Sequence, residues 1–159
     1  MKQAVLSKWL KLMIVGVGIC GVIVYAAVVP MLAGAMAAEY PELSYCRWPW
    51  LILLWITAVP CYIALIFAWK IAVNIGADRS FSIANAKLLK WISGLAAADA
   101  GIFFAGNLIY WLLNMNHPGI ALFSLLVDFA GVAISVVFAA LSHLVLKAAE
   151  LQDQSDLTI

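Results

Sequence analysis

A chain of 159 residues in which 67% are hydrophobic and only 11% charged is excluded from the soluble class, where roughly 45–50% apolar and about 25% charged residues are usual. The formal net charge of +1 identifies no partner, because in such a chain each charge matters through its position relative to the apolar runs. Those runs consume almost the whole length, which leaves little room for a soluble catalytic domain and makes membrane lipid the solvent.

Taken in chain order, the first run covers residues 12–37. It is too long for the 7–15-residue core of a secretory signal and is expected to stay as a span. Further runs at 48–73, 88–113 and 119–146 are each long enough to cross a bilayer with some tilt. The expected fold is all-α: an integral membrane four-helix bundle, one domain over 1–159, with a polar segment at 74–87 and a polar tail at 147–159. The tight turn at 114–118 makes the third and fourth spans an antiparallel hairpin.

Lys2, Lys8, Lys11, Lys70, Arg79, Lys87, Lys90 and Lys147 fall on one side of these spans and Arg47 on the other. Basic residues collect on the cytoplasmic side of multi-pass proteins, so both termini, the segment 74–87 and the tail are expected in the cytoplasm. Tyr40, Tyr45, Trp48, Trp50, Tyr110 and Trp111 gather near the outer ends, and Trp9, Trp69 and Trp91 near the inner ends, where amphipathic rings favour the headgroup level.

Within the spans, Gly16, Gly18 and Gly21 spell G-x-G-x-x-G, but with no preceding strand and no aqueous approach the glycines are read as close-contact residues for a neighbouring helix. Gly94, Ala98, Gly101 and Ala105 give the third span a second smooth face for such contact. Pro30 and Pro60 each remove a backbone donor inside a span, so local kinks are expected there. Cys20 and Cys61 read as small packing residues, whereas Cys46, in the loop after the first span, is an unpaired thiol open to intermolecular linkage.

The sharpest feature is a pair of intramembrane acids. Asp99 lies about 17 Å from the inner end of its span and Asp128 about 14 Å from the outer end of the next, at 1.5 Å per helical residue. Both are expected to face the bundle or a wet cavity. Asp128 shares an inward stripe with Gly131, Ser135, Ala139 and Ser142, and by depth it falls between Asp99 and Asn107. Asp99, Asn107, Asp128 and Ser135 therefore form a candidate polar cluster. It could serve as polar glue between helices, as a proton or cation site, or as an aspartyl protease dyad; the last lacks the expected G-x-G-D sequence. His117 and His143 are too far apart to share a haem iron. No catalytic triad, metal site, cofactor motif or nucleic-acid-binding basic face is present in the sequence.

The segment after the second span runs Gly76, Ala77, Asp78, Arg79, Ser80, Phe81, Ser82, Ile83, Ala84, Asn85. Ser82 is placed to cap a helix leading into the third span, with Phe81 tucked against its first turn. The tail begins as a helix at Lys147 and ends in an acidic stretch with Asp153, Asp156, Leu157 and Ile159. Gly76, Phe81, Ser82, Asn85, Lys87 and Leu88, then Glu150, Leu151, Gln152, Asp156, Leu157, Thr158 and Ile159, resemble a bacterial family of small four-span membrane proteins with a domain of unknown function. Ala84 departs from that pattern, since an acidic residue is common after the cap. The resemblance implies a multi-pass protein of the bacterial inner membrane, often encoded beside a small Cro-type helix-turn-helix regulator. It implies an arrangement for holding such a regulator at the membrane, and the expected role is non-enzymatic, with Phe81, Asn85, Asp153, Asp156, Leu157 and Ile159 as candidate contacts; the alternatives for the tail are a disordered end, or a segment folded back on the bundle with the Ile159 carboxylate near Lys87 or Lys90. The rival expectation is a proton- or cation-coupled transporter using Asp99 and Asp128, working as a homo-oligomer because four helices rarely enclose a path.

Overall fold

A computed structural model describes residues 3–156, with side chains as far as 155. The chain forms α1 (Gln3–Ile23), one π-helical turn (Val24–Val28), α2 (Val29–Glu39), a 3-10 turn (Pro41–Cys46), α3 (Arg47–Gly76), α4 (Ile83–Leu112) and α5 (Pro118–Asp156). No strand occurs among the described residues. The segment from α1 through α2, together with α3, α4 and α5, makes four helices long and apolar enough to cross a membrane. Large apolar side chains cover their outer faces, with Leu126 68% and Phe129 74% exposed, as expected where lipid replaces water.

The interruption in the first span follows from Pro30. In a π-helical turn each N–H reaches the carbonyl five residues back, as Val29 N–H does to Val24 O. Pro30 has no N–H for Tyr25 O. The indole of Trp55 on α3 donates to that carbonyl instead, at 3.0 Å. Pro60, by contrast, lies inside an unbroken α3.

The connections are shorter than their polar stretches suggest. Ser82 adopts extended backbone angles and its Oγ accepts from Asn85 N–H at 3.3 Å, the cap expected of it. Asp78 (φ 60°) and Asn114 (φ 55°) occupy left-handed backbone just past the ends of α3 and α4. Arg79 N–H then reaches back to Asn74 O at 2.9 Å, and Met115 N–H to Tyr110 O at 2.8 Å, which closes both helices in the manner usually built on glycine. At the other end of the hairpin, His117 Nδ1 accepts from Gly119 N–H at 3.1 Å and Pro118 takes the first helical position, where a missing donor costs nothing.

The helices pack antiparallel in the order α1, α3, α4, α5, and the first and last do not touch. Ser7 Oγ donates to Ala72 O at 2.6 Å and Tyr62 Oη to Gly18 O at 2.9 Å, which fixes α1 on α3. Tyr110 Oη donates to Pro49 O at 2.8 Å, joining α3 to α4. Between α4 and α5, Ser93 and Ser135 each donate to the other's carbonyl, at 2.8 and 2.9 Å, and Ser142 donates to Ala86 O at 2.7 Å. Between them a Cβ on Gly131 would lie 3.2 Å from Ala100 Cβ. Small residues let the backbones approach closely enough for these bonds.

Two local expectations change. The tail, helical by sequence only from Lys147 up to its acidic stretch, continues α5 into that stretch as far as Asp156. Ala148, Ala149, Glu150, Leu151 and Gln152 are strong helix formers extending an existing helix, so no nucleation cost arises. Phe81 is not tucked against α4 but 57% exposed.

Candidate functional site

Because α1 and α5 stay apart, the row of helices curves around a cleft of about 610 Å³ lined by all four spans. Tyr25 enters it from the π-helical turn, Cys61 from α3, Asp99 and Phe103 from α4, and Asp128 and Phe138 from α5. Small residues, among them Gly21, Ala96, Ala100 and Gly131, line much of the cleft beside these side chains. The walls are otherwise almost wholly apolar.

Both acids point inward, as their cost in hydrocarbon requires. Cys61 Sγ lies 3.4 Å from Asp99 Oδ2 as a weak donor, while Asp99 Oδ1 is buried without a partner. Asp128 is 8% exposed, and neither of its carboxylate oxygens has a hydrogen-bond partner. The α4–α5 register sets Asp128 opposite Phe103, one helical turn along α4 from Asp99. The two carboxylates thus share a cleft without bonding to each other.

The rest of the candidate cluster falls outside the cleft. Asn107 Oδ1 accepts from Ser124 Oγ at 2.7 Å and from Asn116 Nδ2 at 3.2 Å, and its own Nδ2 donates to Phe103 O at 2.9 Å. Its amide is occupied by nearer partners, so a continuous chain from Asp99 through Asn107 to Asp128 does not form. Ser135 is taken up by Ser93. Tyr25 and Cys61 are not among the site residues the sequence points to, although Pro30 leaves the carbonyl of Tyr25 without its helical donor and so marks that turn.

Residues 31–159, which carry both acids and the segment after α3, match the family described as "Protein of unknown function (DUF2975)". The chain belongs to the DUF2975 family. It is also 30% identical over 153 residues to the uncharacterized membrane protein YoaS of Bacillus subtilis (strain 168), a similarity covering 95% of this chain and 96% of that protein. No solved structure matches it. The part of the cleft wall formed by Tyr25 lies just before the DUF2975 match.

Among the residues expected to meet a partner, Asn85 is 1% exposed. It accepts from Asn74 Nδ2 at 2.7 Å and donates to Arg79 O and Ser80 O, both at 3.0 Å, so it staples the connection between α3 and α4. Phe81 and Asp153 are exposed. The Asp156 side chain, Leu157 and Ile159 lie outside the described residues. Cys46, expected to be open to linkage, is 4% exposed at the end of the 3-10 turn, immediately before α3. The face of Gly94, Ala98, Gly101 and Ala105 is exposed and meets no helix of this chain; packing uses the opposite side of α4. Of the three glycines in the first span, Gly18 and Gly21 face Leu65 and Tyr62 of α3, while Gly16 has nothing within 4 Å.

Proposed function

We propose that the protein is a small membrane carrier that binds a lipophilic organic cation in the cleft between Asp99 and Asp128. The observation behind this reading is the Asp128 carboxylate, buried with both oxygens unpartnered and facing a cavity. A buried charge without a partner costs several kcal/mol (order of magnitude), a cost that a bound cation offsets. A proton alone would neutralise the acid but leave the cleft empty. A metal ion would need more ligands than the site gathers, since calcium takes about six to eight oxygens and no group of three His, Cys, Asp or Glu side chains comes together among the described residues. The rings of Tyr25, Phe103 and Phe138 supply faces for an organic cation, and the gap between α1 and α5 supplies entry from lipid.

Tetraphenylphosphonium is expected to raise the melting temperature of the detergent-solubilised protein and to accumulate in proteoliposomes containing it. Asp128→Asn should fold, melt at or above the wild-type temperature, and lose both responses. At a probe concentration near 100 Kd the stabilisation is about 2.7 kcal/mol. An equal shift in the wild type and in an Asp99→Asn/Asp128→Asn double variant would rule the site out.

The end that carries the basic residues is proposed to face the cytoplasm of a bacterial inner membrane. Cys46 is a poor reporter because it is buried. In a cysteine-free background, Ser44→Cys should react in intact cells with an impermeant thiol reagent and Arg79→Cys should not; the reverse pattern would invert the orientation.

A second reading, a platform for a cytoplasmic helix-turn-helix regulator, is favoured by α5. Its 39 residues extend about 58 Å, well beyond a hydrocarbon core of about 30 Å, and carry exposed Asp153 past the apolar run. Deleting residues 153–159 should leave the melting temperature unchanged and abolish co-purification of that regulator; undiminished recovery would remove this reading.

A further inference from the structure

A second cavity, of about 270 Å³, lies at the opposite end of the molecule from the basic residues, between α2 and the start of α3. It is separate from the acidic cleft. Along α2 its wall runs from Val29 through Leu32 and Met36 to Tyr40, spaced so that one helix face lines it over about 16 Å. Along α3 the wall runs from Arg47 to Leu54, about 10 Å at the same rise. The cavity is therefore a slot parallel to the helices, apolar along its depth.

Charge sits only at its outer end. Arg47 has no ion pair among the described residues; its guanidinium rests near the Trp48 ring, 5.9 Å from the centroid, and against α2, where a Cβ on Gly34 would come within 3.7 Å of it. It is the one Lys or Arg on this side of the spans. His117 also lines the mouth. Its Nδ1 accepts from Gly119 N–H, and a neutral imidazole that accepts at Nδ1 carries its hydrogen on Nε2, for which no partner occurs among the described residues. A planar guanidinium with five donors suits an anionic oxygen group better than any other partner, and an apolar slot leading inward from it suits a hydrocarbon chain.

We propose that this slot holds an acyl chain of an anionic phospholipid, with its phosphate on Arg47 and His117. The neutral end of the same slot, at Val29 and Leu54, takes the chain toward the bilayer midplane. Binding here would brace α2 against α3 just beyond the π-helical turn, where the first span has lost a backbone hydrogen bond.

The test is native mass spectrometry and thermal melting of the full-length protein in a neutral detergent. Phosphatidylglycerol should be retained and should raise the melting temperature, whereas phosphatidylcholine with the same chains and inorganic phosphate alone should do neither. Arg47→Gln should weaken phosphatidylglycerol binding at least ten-fold while leaving the lipid-free melting temperature unchanged, since Arg47 is exposed and no buried group depends on it. Leu32→Trp, which fills the slot, should abolish retention with Arg47 still present. Equal retention of phosphatidylcholine, a full response to phosphate alone, or undiminished binding by Arg47→Gln would each overturn the proposal. If Leu32→Trp fails to fold, the Arg47→Gln and lipid comparisons decide it. None of these readouts depends on the acidic cleft.

Discussion

Asn85→Ala is expected to lower the unfolding free energy by about 1–3 kcal/mol, because it removes the partners of the Arg79 and Ser80 carbonyls and of the Asn74 amide in a partly buried setting. The side chain is 1% exposed and makes three side-chain hydrogen bonds that cross the connection between α3 and α4. Asn85→Asp should be no milder. It keeps the acceptor for Asn74 but replaces two donors with a carboxylate oxygen facing two carbonyls. Thermal melting in detergent measures both. The same experiment separates two roles for the segment 77–82: a residue kept for a cytoplasmic partner would be neutral in the isolated protein, whereas a staple would not. A melting temperature unchanged by Asn85→Ala would mean that the connection is held by the Ser82 cap and the left-handed turn at Asp78 without it.

Why Asn85 resembled a recognition residue in the sequence, and a staple in the structure, bears on what was legible. The four spans follow from hydropathy alone, since a bilayer demands about 20 apolar residues per crossing. The Ser82 cap follows from local chemistry. Helix rotation does not follow as easily. A span is apolar on every side, so no amphipathic stripe marks its buried face. On α4 the small residues Gly94, Ala98, Gly101 and Ala105 pointed to a contact face, yet the contacts are made by Ala86, Ser93, Ala100 and Asn107. On α5 the stripe through Asp128, Gly131, Ser135 and Ser142 was readable because polar and small residues recur there among bulky apolar ones, but Ala139, expected on the same stripe, is exposed. The inward direction of both acids was legible from cost. Their lack of a shared hydrogen bond was not, because it depends on Phe103 and Asn107, whose neighbours are set by the α4–α5 register. The open seam between α1 and α5 is a property of pairwise packing that no single segment encodes.

Gly131→Leu tests that register and the cleft together. A Cβ at this position already stands 3.2 Å from Ala100 Cβ, tighter than ordinary contact, and a β-carbon fixed to a backbone cannot swing aside. A leucine must therefore push α5 away from α4 or force an unfavourable rotamer, at about 1–3 kcal/mol for overpacking. The loss should exceed that figure, because Ser93 and Ser135, one turn along the pair, exchange two hydrogen bonds that need the close approach. Ser135→Ala removes the hydroxyl without adding bulk and should cost only about 0.6 kcal/mol, the usual scale of a bond between spans. The two variants also part company at the cleft. Gly131 lines it one turn from Asp128, so the leucine fills space a cation would occupy and should abolish the tetraphenylphosphonium shift. Ser135→Ala, outside the cleft, should leave that shift intact. A Gly131→Leu protein that melts like the wild type would show that α4 and α5 do not meet at this register. One that is destabilised but binds the cation normally would instead retain the packing and move the cation site elsewhere.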